Sequence, residues 1–245
     1  MSTRTQLHCN ENPLISGLDT ILVPQGMEYQ AVCQGIGKNK SKLKIMPVPV
    51  GIQPVTNFLQ QWQQQSEFLN NLPQGLIMMG LGGSLSPKYS VGDVILYRDC
   101  GLMEYSQESA GQCDHFLTKW VFQQLGNTTF WGRGITSDRV VCSAQKKLLL
   151  GQKYQADVVD MEGFALLNWS QQWGIPVAMI RVISDNCQQD LPDLTEAFGA
   201  DGSLQPLILA RQMLKNPSNS IHLIQSSLKS LQVLKETARK LIVDS

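Results

Sequence analysis

The sequence has few charged residues and no long apolar run, and each shortage excludes a class of function. Only 16% of the 245 residues are charged, and Lys plus Arg balance Asp plus Glu at 20 each. A balanced charge gives no field for nucleic acid or anionic lipid, so we expect a small-molecule ligand or a protein partner. No apolar run approaches the roughly 20 residues that span a bilayer. The polar stretch Met1–Asn12 lacks the apolar core of a signal peptide. We therefore expect a cytoplasmic protein without membrane contact.

Metal and redox motifs are also missing from the sequence. Its three histidines, His8, His115 and His222, are not paired at the spacing of metal ligands. Its six cysteines contain no C-x-x-C pair, and in a chain of this length they are expected to be reduced thiols. We expect no metal site, no cofactor and no disulfide framework.

The sequence does contain short apolar runs that alternate with helical patterns, which predicts an α/β domain with a largely parallel sheet. The apolar fraction of 42% is enough for a substantial core. Strands are expected at 20–24, 75–79, 91–97, 156–159 and 177–183, and helices at 114–125, at 163–173 and along the C-terminal segment. No linker divides the chain, so we predict a polar N-terminal segment (1–18) and a single domain (19–245).

Two of these strands end in acidic residues. The strand at 156–159 is followed by Asp160-Met161-Glu162, and the strand at 177–183 by Ser184-Asp185-Asn186. Because one helix joins the two strands, we expect them to run parallel, with Glu162 and Asp185 at the same edge of the sheet. Ligands of open α/β sheets bind at the carboxyl ends of the strands, so this edge is the predicted site.

Each of these features also has a purely structural explanation. Glu162 could simply complement the dipole of the helix that follows it, and Asp185 could belong to a turn. The glycine-rich stretch Gly80–Ser84 has neither the Gly-Lys-Ser/Thr of a phosphate-binding loop nor a dinucleotide fingerprint. It is their joint placement on one edge, together with the segment 26–30 after the first strand, that favours a functional site.

Three segments of the sequence resemble the signatures of a known family. These are Gly80-Leu-Gly-Gly-Ser-Leu-Ser-Pro87 with Val91-Gly-Asp93, Val159-Asp-Met-Glu-Gly163, and Arg181-Val-Ile-Ser-Asp185. In order and spacing they are similar to those of the purine nucleoside phosphorylase/nucleosidase superfamily. The pattern looks most like that of the methylthioadenosine/S-adenosylhomocysteine nucleosidases. The resemblance implies a three-layer αβα fold with a twisted, largely parallel mixed sheet.

The resemblance also implies roles for the acidic residues. Asp185 would protonate or hydrogen-bond N7 of the purine as the glycosidic bond lengthens, and for this its pKa would have to be raised. Glu162 would accept hydrogen bonds from the ribose hydroxyls and stabilise positive charge at C1′. Met161 would contact the ribose, and Ser184 belongs to the same substrate-binding segments.

The remaining family positions are the glycine loop and the base-binding pair. Gly80, Gly82 and Gly83 would let the backbone approach the sugar or the base, and Val140 and Val141 would contact the base through backbone groups. Family members often have an aromatic residue at the first of these two positions, where this chain has Val140.

The residues that would activate the nucleophile differ from the family pattern. The phosphate-binding arginines of the phosphorylases have no counterpart in 24–29 or 76–80, which favours hydrolysis over phosphorolysis. The hydrolases activate water with a Glu at the position that Gln30 occupies here, and an amide cannot act as a base. Either Glu28 takes that role, or Gln30 only orients the water.

The sequence therefore predicts an enzyme that cleaves the N-glycosidic bond of an adenine-type nucleoside. The alternatives are a purine nucleoside phosphorylase, a hydrolase for an unusual 5′-substituted adenosine (adenosylhopane or futalosine type), and a non-catalytic nucleoside-binding protein. The 5′ pocket would depend on the loops 102–112 and 191–198, which have no readable signature. The resemblance implies a homodimer or larger homo-oligomer.

Overall fold

The computed structural model describes residues 18–37, 43–103, 110–194 and 217–243, with the single positions 199, 205, 211 and 214. The predicted N-terminal segment 1–18 lies outside the described residues except for Leu18, as do 104–109 and 195–198 of the two loops named above. Eight strands are described: β1 (Thr20–Pro24), β2 (Lys44–Val48), β3 (Leu76–Ser84), β4 (Val94–Leu102), β5 (Gly111–Gln112), β6 (Thr129–Thr136), β7 (Val158–Asp160) and β8 (Val177–Asp185). The helices are α1 (Met27–Ile36), α2 (Ile52–Trp62), α3 (Ser66–Asn70), α4 (His115–Leu125), α5 (Ala144–Tyr154), α6 (Gly163–Trp173) and α7 (Pro217–Val243).

Local sequence signals explain where several helices begin and end. Asp114 caps α4, where its carboxylate accepts a hydrogen bond from the backbone N–H of Leu117 at 2.7 Å. Ser143 caps α5 in the same way through the N–H of Lys146. α6 ends at Gly174, whose φ of +64° is the left-handed conformation that glycine adopts without strain.

The strands form one mixed, mainly parallel sheet, which confirms the predicted fold class. β1 pairs in parallel with β2 and β3, β3 with β8, and β6 with β4 and β7. Three pairings are antiparallel: β3 with β7, β4 with β5, and β4 with β8. The pairings of β3, β8, β4, β6 and β7 form a closed circuit, and β2 and β5 lie at the edges of the sheet.

The predicted parallel arrangement of the two strands joined by α6 is wrong. β7 runs antiparallel to the end of β3, through Gly83 and Val159, whereas β8 runs parallel to β3 from Leu76 and Val177 onwards. The two strands therefore point in opposite directions on either side of β3. Because β7 points back along β3, the residues that follow it are carried towards the middle of β8.

The sheet separates two layers of helices. On one side, α1, α4 and α7 bury apolar side chains such as Val32, Val121 and Leu234 against β1, β3 and β8. On the other side, α2, α3 and α6 pack through an aromatic group that contains Trp62, Phe68 and Trp169. None of the helices in the described part of the chain is long and apolar enough to cross a membrane.

Candidate active site

A cavity of about 600 Å³ opens where β1, β3, β7 and β8 end. Most of the predicted site residues line it: Glu28, Gly82, Gly83, Val140, Val141, Met161, Glu162, Ser184 and Asp185. Asp160 from β7 and Ser227 and Leu231 from α7 also line it. Glu162 and Asp185 therefore share one cavity as predicted, although the strands that carry them run in opposite directions.

A buried arginine organises one side of this cavity. The guanidinium of Arg181, on β8, has no solvent exposure, and its Nε donates to Oδ2 of Asp160 at 3.0 Å. Its Nη2 lies 3.4 Å from Oε2 of Glu162. The other carboxylate oxygen of Glu162 accepts a hydrogen bond from the backbone N–H of Gly51 at 3.1 Å. These contacts fix the direction in which the Glu162 carboxylate points.

Glu28 is the second carboxylate on this side of the cavity. Its Oε2 accepts a hydrogen bond from the backbone N–H of Leu81 at 2.7 Å. Burial raises the pKa of Glu28 to about 7, with a further contribution from Asp160, although the Leu81 N–H and Arg181 act in the opposite direction. Burial also raises the pKa of Glu162, and Asp160 and Glu28 add to that rise against the effect of Arg181. A carboxyl group that titrates near neutrality is suited to accept a proton from water.

Gln30 does not line this cavity, whereas Glu28 does. Glu28 and Gln30 are both on α1, and residues two positions apart on an α-helix point in nearly opposite directions. Glu28 is half-buried at the cavity, whereas Gln30 is exposed and is not among the lining residues. Of the two alternatives left open by the sequence, the geometry supports Glu28.

Asp185 has a buried partner that the sequence did not predict. The ammonium group of Lys147, on α5, contacts Oδ2 of Asp185 and donates to the backbone carbonyl of Asn186 at 3.2 Å. The other oxygen of Asp185 accepts a hydrogen bond from the hydroxyl of Ser184 at 2.7 Å. A signal was present in the sequence: Lys147 falls on the same helical face as the buried Leu150 and Tyr154, where an apolar residue is normal.

Two glycines of β3 let these charged groups approach the strand. A Cβ atom on Gly80 would lie 2.5 Å from Nη1 of Arg181 and 2.7 Å from Oε2 of Glu28. One on Gly83 would lie 3.0 Å from Oδ2 of Asp185. Gly80 therefore leaves room for Arg181 and Glu28, although it does not line the cavity itself. Gly83 lines the cavity and leaves room for Asp185.

Apolar side chains provide the remaining surface of the cavity. Val141 is buried, while Val140 and Met161 are half-buried. None of the described residues that line the cavity is aromatic, so a flat base would pack between aliphatic side chains. A second cavity of about 410 Å³ shares Val50, Arg139, Val140 and Met161 with the first.

Comparison with known proteins relates this geometry to a family. Residues 63–215 match the family described as the phosphorylase superfamily. Among solved structures, the chain is similar to the futalosine hydrolase of Helicobacter pylori, with a TM-score of 0.64, 16% identity, and coverage of 91% of this chain and 97% of that one.

Two further solved structures have the same fold. One is the 5′-methylthioadenosine/S-adenosylhomocysteine nucleosidase of Campylobacter jejuni, with a TM-score of 0.62, 14% identity, and coverage of 91% and 99%. The other is the corresponding nucleosidase of S. pneumoniae, with a TM-score of 0.63, 15% identity, and coverage of 91% and 98%. The match to the family extends over more than half of the sequence. This chain therefore belongs to the phosphorylase superfamily.

Proposed function

We propose that this protein hydrolyses the N-glycosidic bond of a purine-type nucleoside. The observation that carries the proposal is the placement of three carboxylates, Glu28, Glu162 and Asp185, around one cavity of about 600 Å³. Asp185 stabilises the leaving purine at N7, Glu162 and Met161 hold the ribose, and Glu28 takes the proton of the attacking water.

The charges around the cavity favour water over phosphate as the nucleophile. Arg181 is paired with Asp160 and Glu162, Lys147 with Asp185, and Arg139 with Asp138 at 2.8 Å. A phosphate ion needs charge-assisted donors, and each of these three cations already has a carboxylate partner. A phosphate entering beside Glu28 and Glu162 would also meet negative charge.

The adjoining cavity of about 410 Å³ supports a substrate that carries a 5′ substituent. It shares Met161 and Val50 with the main cavity, so a group attached to the sugar would have room beside the ribose site. We therefore expect kcat/KM to be higher for methylthioadenosine or S-adenosylhomocysteine than for adenosine. The homodimer or larger assembly implied by the family resemblance stays a prediction.

Chromatography of incubated nucleosides tests this proposal directly. Adenosine, methylthioadenosine and S-adenosylhomocysteine are each incubated with the enzyme, with and without phosphate. We expect free adenine and the free sugar at a rate that does not depend on phosphate, and no product from a Glu162→Gln variant. A pentose 1-phosphate product would identify a phosphorylase. Binding without turnover, seen as thermal stabilisation by the nucleosides, would instead identify a binding protein.

Replacing Gly83 by Ala is expected to reduce kcat/KM for the nucleoside about 10- to 100-fold. The new Cβ atom would be 3.0 Å from Oδ2 of Asp185 and 3.3 Å from Cγ1 of Val159, so the carboxylate must move away from its position at the base. Gly101→Ala is the matched control, since a Cβ atom there meets nothing closer than Cγ2 of Ile135 at 4.0 Å. Equal activity of the two variants would contradict the placement of Asp185.

A further inference from the structure

Lys147 is a buried cation with an unusual position. Its side chain is 1% exposed and does not line the nucleoside cavity, whereas the Asp185 side chain, 12% exposed, does. The ammonium group contacts the Asp185 carboxylate and the Asn186 carbonyl. Lys147 can therefore influence the reaction only through Asp185.

Stability alone gives little reason for a lysine at this position. Removing an ammonium ion and a carboxylate from water is unfavourable, and proteins with apolar residues of similar volume in their place are often as stable or more stable. The other buried residues on this face of α5, Leu150 and Tyr154, pack against the apolar group that includes Leu85 and Val141. An aliphatic side chain would suit such a face, so the charge needs another explanation.

The reaction requires a proton that Asp185 does not have while it is ionised. As the C1′–N9 bond breaks, its electron pair moves onto the purine, and N7 must gain a proton to neutralise that charge. An Asp185 carboxylate that accepts from Ser184 and Lys147 can stabilise the purine only after it has received a proton. Within hydrogen-bond distance of Oδ2, the ammonium group of Lys147 is the acidic group available.

We propose that Lys147 is a positioning residue that holds Asp185 at the purine and supplies the proton that Asp185 passes to N7. The proposal rests on the nucleoside hydrolysis proposed above. The proton moves from Nζ of Lys147 to the Asp185 carboxyl group, which passes a proton to N7. Water adds its hydroxide to C1′ and gives its own proton to Glu28. Afterwards Glu28 releases a proton to solvent and Lys147 regains one, so atoms and charge balance.

A third cavity, lined mainly by polar residues, gives Asp185 a further opening to solvent. Its volume is about 260 Å³, and Asp185 and Asn186 line it together with Asp190, His222 and Lys229. Asp185 thus faces both the nucleoside cavity and this polar one. Protons can therefore reach Asp185, and through it Lys147, while a nucleoside occupies the cavity of about 600 Å³.

One purine substrate and one aryl substrate distinguish proton supply by Lys147 from a purely structural role. We compare Lys147→Met with wild type on methylthioadenosine and on 4-nitrophenyl riboside, whose phenolate leaves without protonation at N7. On methylthioadenosine we expect kcat to fall about 10²- to 10³-fold with little change in KM. On the nitrophenyl riboside the loss should stay within about threefold. Lys146→Met, an exposed position on the same helix, is the matched control.

The pH dependence of the Lys147→Met deficit is a second measurement. It uses methylthioadenosine alone, so it remains available if the nitrophenyl riboside binds poorly. Without Lys147, Asp185 must take its proton from solvent, so the deficit of Lys147→Met should be about tenfold larger at pH 8.5 than at pH 6. The other titratable groups facing the pair are the thiols of Cys142 and Cys187, beside Lys147, and Asp190, His222 and Lys229 along the polar cavity. His222→Gln, measured in parallel, removes the one imidazole from this set.

Two further variants distinguish the loss of this role from a failure of Lys147→Met to fold. Lys147→Arg keeps a positive charge beside Asp185, but a guanidinium does not release its proton, so this variant should fold as wild type and recover little of the activity that Lys147→Met loses. Lys147→Met added to Asp185→Asn should cause no further loss. Equal losses on both substrates at every pH, or no loss on either, would overturn the role of Lys147. A wild-type enzyme that cleaves no nucleoside would instead refute the proposed hydrolysis.

Discussion

Replacing Glu28 by Gln is expected to lower kcat for nucleoside hydrolysis about 10³-fold, because the attacking water loses the group that takes its proton. Gln can still accept the hydrogen bond that the backbone N–H of Leu81 donates to Glu28, so the fold around the cavity should persist. Initial rates on methylthioadenosine measure the loss. A variant that retains more than about a tenth of the wild-type kcat would rule out Glu28 as the base.

Gln30→Glu is the matched variant that tests whether the base stands at residue 28 or at residue 30. If residue 30 contributed to the site, a carboxylate there would raise activity or rescue Glu28→Gln. Because Gln30 is exposed on α1, we expect neither effect: the single variant should behave as wild type and the double variant as Glu28→Gln. Rescue in the double variant would show that α1 is turned differently in the working enzyme.

Because the pKa of Glu28 is raised, its role as the base also predicts how kcat/KM depends on pH. Burial raises this pKa from 4.5 to about 7, so the ionised base predominates only above about pH 7. In wild type, kcat/KM should rise with pH up to about 7 and then level off. Glu28→Gln should make this acid limb less steep, and the remaining limb belongs to Glu162, whose pKa burial also raises to about 7.

The free energy of unfolding should fall over the pH range in which kcat/KM rises. The folded protein binds the Glu28 proton more tightly than the unfolded chain does, so the free energy of unfolding falls as pH rises from about 4.5 to about 7. Glu28→Gln removes that penalty. At pH 8 the inactive variant should therefore melt at a higher temperature than wild type, which distinguishes a lost base from a misfolded site.

Replacing Arg181 by Met is expected to lower the free energy of unfolding by about 3–5 kcal/mol at pH 8, because it leaves buried carboxylates without their partner. Asp160 has no solvent exposure and Glu162 has 5%, so water cannot replace the guanidinium. Urea denaturation at equilibrium measures the change. At pH 5 the deficit should shrink, since the pKa of Glu162 is raised to about 7 by burial and its carboxyl group is then neutral.

The exposed ion pair of Lys44 and Glu67 is the control for this experiment. Its side chains are 42% and 67% exposed, and Lys44→Met should change the unfolding free energy by less than about 1 kcal/mol. If Arg181→Met were equally mild, the buried pairs of Arg181 with Asp160 and Glu162 would contribute no more to stability than this exposed pair does.

Much of the fold could be predicted because the signals were local. The strand at 20–24 and the helix at 163–173 are confirmed with the same bounds, since a buried β-rich run and a glycine stop identify them without reference to the rest of the chain. The direction of β7 was predicted wrongly, because it depends on pairing with β3, more than 70 residues earlier in the sequence.

The site was predicted in part for the same reason. Glu162, Asp185 and Met161 lie in short segments with their own pattern, and the structure brings them to one cavity. Lys147 could not be found in this way, since its partner is 38 positions away and its helix, α5, was not predicted. The choice between Glu28 and Gln30 could not be made from the sequence, because it depends on where α1 begins. The start of α1 determines which of the two side chains faces the cavity.

The closed circuit of β3, β8, β4, β6 and β7 also affects how copies of this chain meet one another. Strands inside a closed circuit have both neighbours and offer no free backbone groups to another molecule. The edge strand β2 includes the exposed Pro47, which has no backbone N–H to donate, and the opposite edge is the two-residue β5. The sheet that carries the cavity therefore gives little template for the strand-to-strand addition that leads to aggregation.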